Sequence, residues 1–297
     1  MTDQLSIDKR IRVRAVQSRE RAVLIFKENP LFDYFSDDDR ADSILLQDGK
    51  ISLIGERLID NNFATLAKTE FCISTPSFEF RNGRRCSIPT DEWFQYPLKG
   101  EYLFIQEHRK KIEELIASIL SDMKVEDSEE NVSKSIRNLL LGSGYFLYYN
   151  PVVAFDVNTL NIWNKPGQNT LKKIMYIEVA ARRSGLTIMY SNSFLATREE
   201  EYSGKYKQGM DALEILKKKF VEGNITSDVG SELERFRNRN LYLTTPLYPF
   251  GYHPIPGPHE VIRTGDIAVF DLWNYSSDYS FRRKVVAIAG SYRAHMI

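Results

Sequence analysis

The stretch FGYHPIPGPHEVIRTGDIAVFDLWNYSSDYSFRRKVVAIAG, Phe250 to Gly290, decides how this chain is read. A proline-rich turn carries His253 and His259. After it, VIRTGDIAVFDL is an apolar run opened by the turn signal Thr264-Gly265-Asp266, which predicts a buried strand. Asp271 closes that run, at a position where acids are uncommon. The next run, KVVAIAG, is expected to return antiparallel. Two imidazoles and a buried carboxylate on adjacent strands are the beginning of a metal or acid–base site.

Upstream, the same order of elements occurs twice. The first pass is the helix QEHRKKIEELIASILSDM, the phrase KVEDSEENV opening another helix, the aromatic FLYYNPVVAF, then LKKIMYIEVAA and GLTIMYSNSFLA. The second is MDALEILKKKFVEG, NITSDVGSELERF, LYLTTPLYPFGYHPIPGPHE, then GDIAVFDLWN and RKVVAIAG. Ser128-Glu129 and Ser227-Asp228 supply helix caps at corresponding places. An offset of about one hundred residues with the order helix, capped helix, strand pair predicts duplicated α+β halves. In the first helix Ile112, Leu115, Ile116, Ile119 and Leu120 share one face, which predicts packing against this second domain.

The first hundred residues read differently. AVLIF is a strand, and SILLQDGKISLIG is a hairpin turning at Asp48-Gly49. Asp37-Asp38-Asp39 lacks the alternating oxygen ligands of a calcium loop and is read as a solvated loop or a helix start. The prolines and aromatics of RNGRRCSIPTDEWFQYPLKG put a boundary near Pro97 to Gly100. The expectation is a small mixed α/β domain over residues 1–100 and a larger domain over 101–297.

Composition excludes several function classes. A chain of 297 residues, 42% hydrophobic and 27% charged, is ordinary for a globular protein. Forty basic and forty acidic residues cancel, which argues against nucleic acid or an anionic membrane as the main partner. No stretch has the length of a signal peptide core or a membrane span, so a cytoplasmic setting is expected. Cys72 and Cys86 are read as reduced thiols, with a structural disulfide as the lesser alternative.

The repeated order resembles the pita-bread metallopeptidase family, which includes methionine aminopeptidase, aminopeptidase P, prolidase and creatinase. The resemblance covers residues from about 105 to 290, and the first hundred residues resemble a shortened creatinase-type N-terminal domain. It implies an α+β pita-bread domain of two duplicated halves. Family members hold two metal ions on two Asp, a His and two Glu.

Carried onto this chain, the resemblance puts Glu178 at the first Asp and Met189 at the second, with Gly185 and Phe194 fixing the register. GYHPIPGPHE resembles the family's Gly-His-Gly-Ile-Gly-x-x-x-His-Glu, which makes His253 the metal His and His259 the substrate-orienting one. Asp271 takes the first Glu position, and the last falls on or beside Arg283 in FRRKVV. Trp163 stands where the family has a further His.

A thioether and a guanidinium in place of carboxylates remove the anionic oxygens that hard cations need. The resemblance therefore implies a degenerate site with no metal and no cofactor, in which Arg283 pairs with Glu178 or Asp271. Its expected ligand is a peptide, a small amino-acid derivative or a partner protein, held between the halves by Glu178, Asp271, Trp163, Met189 and Arg283. The alternative is a metal-independent or single-metal hydrolase acting on a C–N bond, with His253 or His259 as acid–base. A homodimer is a further expectation from the family.

Overall fold

The computed structural model describes residues 2–17, 22–26, 30–36, 43–47, 50–54, 71–73, 83–85, 98–161, 164–225, 227–229, 231, 239–244, 247–248, 251–252, 261–264 and 267–296. The chain divides into two compact units. One comprises residues 1–104, 184–187 and 247–253, the other residues 105–183, 188–246 and 254–297.

In the first unit, α1 (Thr2–Gln17), β1 (Ala22–Phe26), α2 (Pro30–Phe35), β2 (Ser43–Gln47), β3 (Lys50–Ile54), β4 (Phe71–Ile73) and β5 (Gly83–Arg85) follow in order. They form a five-stranded sheet in the order β3-β2-β1-β4-β5, antiparallel from β1 to β3 and parallel from β1 to β5. Val23, Leu24 and Ile25 are consecutive and all buried, so both faces of β1 are covered, as an apolar run without alternation requires. The hairpin read in SILLQDGKISLIG is present, with Gln47 opposite Lys50. The helix over Thr2–Gln17 was not legible in a segment of mixed charges. It is fixed by Asp8, which accepts from the Gly100 and Glu101 amides at 2.6 and 3.1 Å, and by Arg12, which donates to Glu101 at 2.8 Å. The Tyr34 hydroxyl also donates to Glu101, at 2.5 Å, and burial pushes that phenol well above its ordinary range. Of the cysteines, Cys72 lies in β4, and Cys86 and Asp37 to Asp39 lie outside the described residues.

The larger unit contains most of the duplicated order. Its first half has α3 (Lys99–Asp122), α4 (Glu129–Gly142), β6 (Phe146–Leu147), β7 (Val152–Phe155), a 3-10 turn over Asp156–Leu160, β8 (Ile174–Arg183) and β9 (Leu186–Leu195). Ile112 and Ile116 of α3 are buried with Val132, Ile136 and Leu140 of α4 against Ile177, Val179, Ile188 and Tyr190 of the strands, and Leu115, Ile119 and Leu120 complete the expected face. Ser128 caps α4 by accepting from the Asn131 amide at 3.3 Å. β8 and β9 meet in a two-residue turn where Ser184 and Gly185 have φ of 48° and 73°, the left-handed pair that a tight hairpin needs.

The second half has α5 (Glu200–Lys219), β10 (Arg239–Thr244) and, after the small pair β11 (Leu247–Tyr248) and β12 (Gly251–Tyr252) that is grouped with the first unit, β13 (Ile267–Tyr275), β14 (Ser280–Ile288) and β15 (His295–Met296). Strands β10, β13, β14 and β15 form one antiparallel sheet in that order. Ala212, Leu213 and Leu216 of α5, with Phe220 just after it, pack on Phe270, Leu272, Val285 and Ala287. The return strand begins at Ser280, several residues before the KVVAIAG run, so FRRK is strand and not turn.

Gly209 is required where α5 crosses β14. A Cβ there would sit 2.4 and 2.5 Å from two atoms of the buried Phe281 ring. Alanine ordinarily favours a helix over glycine by about 1 kcal/mol, but here the overpacking outweighs that gain. Gly209→Ala is expected to lose about 1–3 kcal/mol in urea unfolding, and an unchanged or raised midpoint would show that the helix is free to move away.

Candidate functional site

Strand alternation decides which side chains of β8, β9 and β14 can meet. On β14, Phe281, Val285 and Ala287 face α5, so Arg282 and Lys284 face the other way. On β8, Ile177 and Val179 enter the helix-facing core, which turns Tyr176 and Glu178 to the opposite side. Ile188 and Tyr190 of β9 also enter that core, so Met189, Ser191 and Ser193 share the other face.

Glu178 is the centre of this face and is 2% exposed. Its Oε1 accepts from the Tyr149 hydroxyl at 2.6 Å and from the Lys284 ammonium at 2.8 Å, and its Oε2 accepts from the Tyr176 hydroxyl at 2.5 Å. Val152 opposite Glu178 and Ala154 opposite Tyr176 wall the group with small apolar surface. Burial is the largest single influence on the Glu178 carboxyl and acts to raise it. The Lys284 charge and the bonds from Lys284, Tyr149 and Tyr176 outweigh it, so the group is held below the usual carboxylate range.

Next to it, Arg282 is fully buried, its guanidinium 4.3 Å from the Tyr176 ring and 3.8 Å from the Trp273 ring, with Nη1 donating to the Asn161 carbonyl at 3.1 Å. The two halves are joined by hydroxyls. Ser193 accepts from the Arg282 amide and donates to its carbonyl (2.9 and 2.8 Å), and Ser191 does the same for Lys284 (2.5 and 3.1 Å). Thr159 accepts from the Ser280 amide at 2.7 Å. The edge of β14 that faces away from β13 is thus satisfied at alternate residues by first-half side chains.

The residues expected from sequence fare unequally. Glu178 lies at the centre and Met189 is on its face of β9, half-buried. Asp271 is the backbone register partner of Lys284, and its side chain lies outside what is described, as do His253, His259 and Trp163. Arg283 requires correction. It lies opposite Leu272 on the helix-facing side, and its Nη1 approaches the Met210 sulfur of α5 at 3.4 Å. The pairing expected of Arg283 is made by Lys284, one residue on, because the strand starts at Ser280 and a slip of one reverses the face. Tyr149, Tyr176, Arg282 and Lys284 were missed. Period-two spacing from Glu178 pointed to Tyr176, and Lys284 follows once Asp271 is given a hairpin partner.

The carboxylate oxygens of Glu178 already accept from two phenols and an ammonium, and a cation fixed 2.8 Å from a carboxylate opposes a second one. Among the described residues no group of three His, Cys, Asp or Glu is placed to hold a metal.

Two buried groups set the response to acid. His108 of α3 is paired with the Tyr145 hydroxyl at 2.9 Å, and burial, with Lys111 and Arg183 adding to it, pushes the imidazole down to about 4. Its folded value is depressed, so unfolding takes up a proton between about 6.5 and 4 and stability falls as pH drops through that window. The depressed Glu178 adds a further loss below its unfolded value near 4.5. Melting temperature is expected to fall from pH 7 to pH 4, with a shallower slope in His108→Gln. A flat profile above pH 5 would contradict the neutral buried imidazole.

No family model and no curated protein matches the sequence. Solved structures do match. X-Pro aminopeptidase from Thermotoga maritima MSB8 superposes with a TM-score of 0.72 at 10% identity, over 94% of this chain and 95% of that one. His350Ala Escherichia coli aminopeptidase P gives 0.70 at 10% identity over 97% and 93%, and Xaa-Pro dipeptidase from Bacillus anthracis gives 0.67 at 12% over 98% and 96%. The chain therefore has the α+β pita-bread fold of aminopeptidase P and prolidase. Among the described residues no helix is long and apolar enough to cross a membrane.

Proposed function

We propose that this chain is a non-hydrolytic, ligand-binding form of the pita-bread peptidase fold, which takes a peptide, an amino-acid derivative or a segment of a partner protein at the Glu178 face. The observation that carries the reading is the saturation of Glu178 by Lys284, Tyr149 and Tyr176. Hydrolysis in a two-ion peptidase needs a metal-activated water, and this carboxylate is engaged by an internal cation instead. Half-buried Tyr149 is the member of the cluster through which a ligand reaches it, and a ligand amine or amide can exchange with its hydroxyl. Fold alone does not assign chemistry, so the reading rests on these side chains. A homodimer and a cytoplasmic setting complete the proposal.

The test combines metal analysis and peptide binding. Protein purified without chelator is expected to contain no stoichiometric manganese, cobalt, iron or zinc, and titration with Mn²⁺ or Zn²⁺ is expected to give no saturable heat. X-Pro dipeptides and longer peptides are expected to bind without cleavage, with affinity reduced about tenfold or more by Glu178→Gln. Stoichiometric metal overturns the reading. So does peptide cleavage that His253→Ala or His259→Ala abolishes, which would establish the metal-independent hydrolase instead.

A further inference from the structure

The face of β8 that carries Glu178 continues beyond it toward the Ser184-Gly185 turn. Period two from Tyr176 and Glu178 places Ala180 and Arg182 on that same face. β6 lies beside this end of the strand, with Phe146 opposite Arg182 and the Tyr148 amide donating to the Ala180 carbonyl at 3.1 Å. Leu147 and Ala181, the residues between, enter the helix-facing core, so Phe146 and Tyr148 stand on the Glu178 side. Across β8, counting back from the two-residue turn sets Met189 of β9 opposite Ala180. A continuous strip results, from Tyr149 beside Glu178, past Tyr148 and Met189, to Phe146 and Arg182. Its inner end is closed, since Tyr176 and Glu178 are buried, but its outer part is open: Tyr148 is 44% and Phe146 51% exposed. Two large aromatic side chains held open on one strand, continuous with a buried polar cluster, mark a surface that another molecule covers. Arg182 closes the far end, half-buried, with its guanidinium 5.4 Å from the Phe146 ring.

An apolar strip that ends in a guanidinium complements a chain that carries apolar side chains and ends in a carboxylate, which guanidinium N–H groups match in geometry as well as charge. The length of the strip sets the length of that chain. Arg182 is four residues beyond Glu178 on β8, about 13 Å at the rise of a strand, which is the reach of roughly four extended residues. A dipeptide seated at Tyr149 stops short of Arg182. We propose that the ligand of the Glu178 face is an extended peptide of about four residues with a free C-terminus. Its carboxylate meets Arg182, an apolar side chain covers Phe146 and Tyr148, and its upstream end reaches the Tyr149 hydroxyl. This rests on the reading that a ligand enters at Tyr149. It selects a short peptide over a small amino-acid derivative, which cannot span the strip, and over an internal segment of a partner protein, which brings no chain end to the guanidinium.

The test is calorimetric titration of the full chain with three probes: Ala-Pro, Ala-Pro-Phe-Leu and the C-terminal amide of that tetrapeptide. The free tetrapeptide is expected to bind about tenfold or more tightly than the dipeptide, and amidation to cost it about tenfold, as loss of a charged hydrogen bond does. Arg182→Gln is expected to bind acid and amide alike, at the affinity wild type shows for the amide. Phe146→Ala is expected to weaken both tetrapeptides and leave the dipeptide unchanged. The comparison of acid with amide is made on wild type and needs no variant to fold. Equal affinity for acid and amide in wild type overturns the contact with Arg182, and equal affinity for dipeptide and tetrapeptide overturns the strip. In either case peptides still bind and Glu178→Gln still weakens them, so the reading of the Glu178 face survives. Heats that do not saturate with any of the three probes overturn that reading and the strip together.

Discussion

Lys284→Met is expected to destabilise the larger unit by about 3–5 kcal/mol, the cost of leaving a buried carboxylate without its cation, and to lower its melting temperature by roughly 6–20 °C. The ammonium is 11% exposed and Glu178 2%, so water screens the pair little. The two phenols remain as donors, which limits the loss to the charge term. Glu178 should then titrate upward, and the variant should be restored partly at pH values where the carboxyl is protonated. Combining Lys284→Met with Glu178→Gln removes both charges, and the double variant is expected to recover most of the loss, since a buried pair replaced as a whole is often neutral. A Lys284→Met chain as stable as wild type would mean that the pair is solvated and the Glu178 face is not the closed cluster described. Addition of Mn²⁺ to this variant has a second use. If the metal stabilises it and does not stabilise wild type, the ammonium is what keeps cations out.

Glu129→Ala is expected to be the other large change, about 3–5 kcal/mol by the number of buried donors it orphans. Glu129 is fully buried at the start of α4, and its carboxylate accepts from the Phe155 amide at 2.6 Å, the Gly167 amide at 3.0 Å and the Asn158 side chain at 2.9 Å. Phe155 ends β7, Asn158 lies in the turn after it and Gly167 follows, so these donors bracket the segment that carries Thr159 and Asn161, which bond Ser280 and Arg282 of the second half. Hydrogen exchange in residues 156–161 should therefore accelerate in the variant beyond the change in global stability. Glu129→Gln keeps one acceptor and is expected to lose about half as much. Equal exchange in that segment would show that Thr159 and Asn161 are held without Glu129.

Much of the fold was legible because it depends on local periodicity. The apolar face of α3, the cap at Ser128 and the strand pairs are set by residues close in sequence, and their repetition pointed to duplicated halves. The site was legible only in part. Glu178 stood out as an acid in an apolar strand, yet its partners come from 29 and 106 residues away in Tyr149 and Lys284, a proximity no local pattern encodes. The choice between Arg283 and Lys284 turned on where β14 begins. Three cations in a row give alternation nothing to distinguish, and only the register with β13 does so. Tyr149, in the aromatic phrase FLYYN, looked like packing because its hydroxyl partner lies on another strand.

The guanidinium of Arg282 has a mechanical consequence. It is clamped between a first-half tyrosine and a second-half tryptophan, while its own amide and carbonyl are held by Ser193. Two halves built to the same order could each exist apart, but here the first supplies the second's missing strand-edge partners and one wall of the sandwich around Arg282. Severed at the linker before α5, neither fragment should hold a native structure alone, and mixing the two should be needed to regain it.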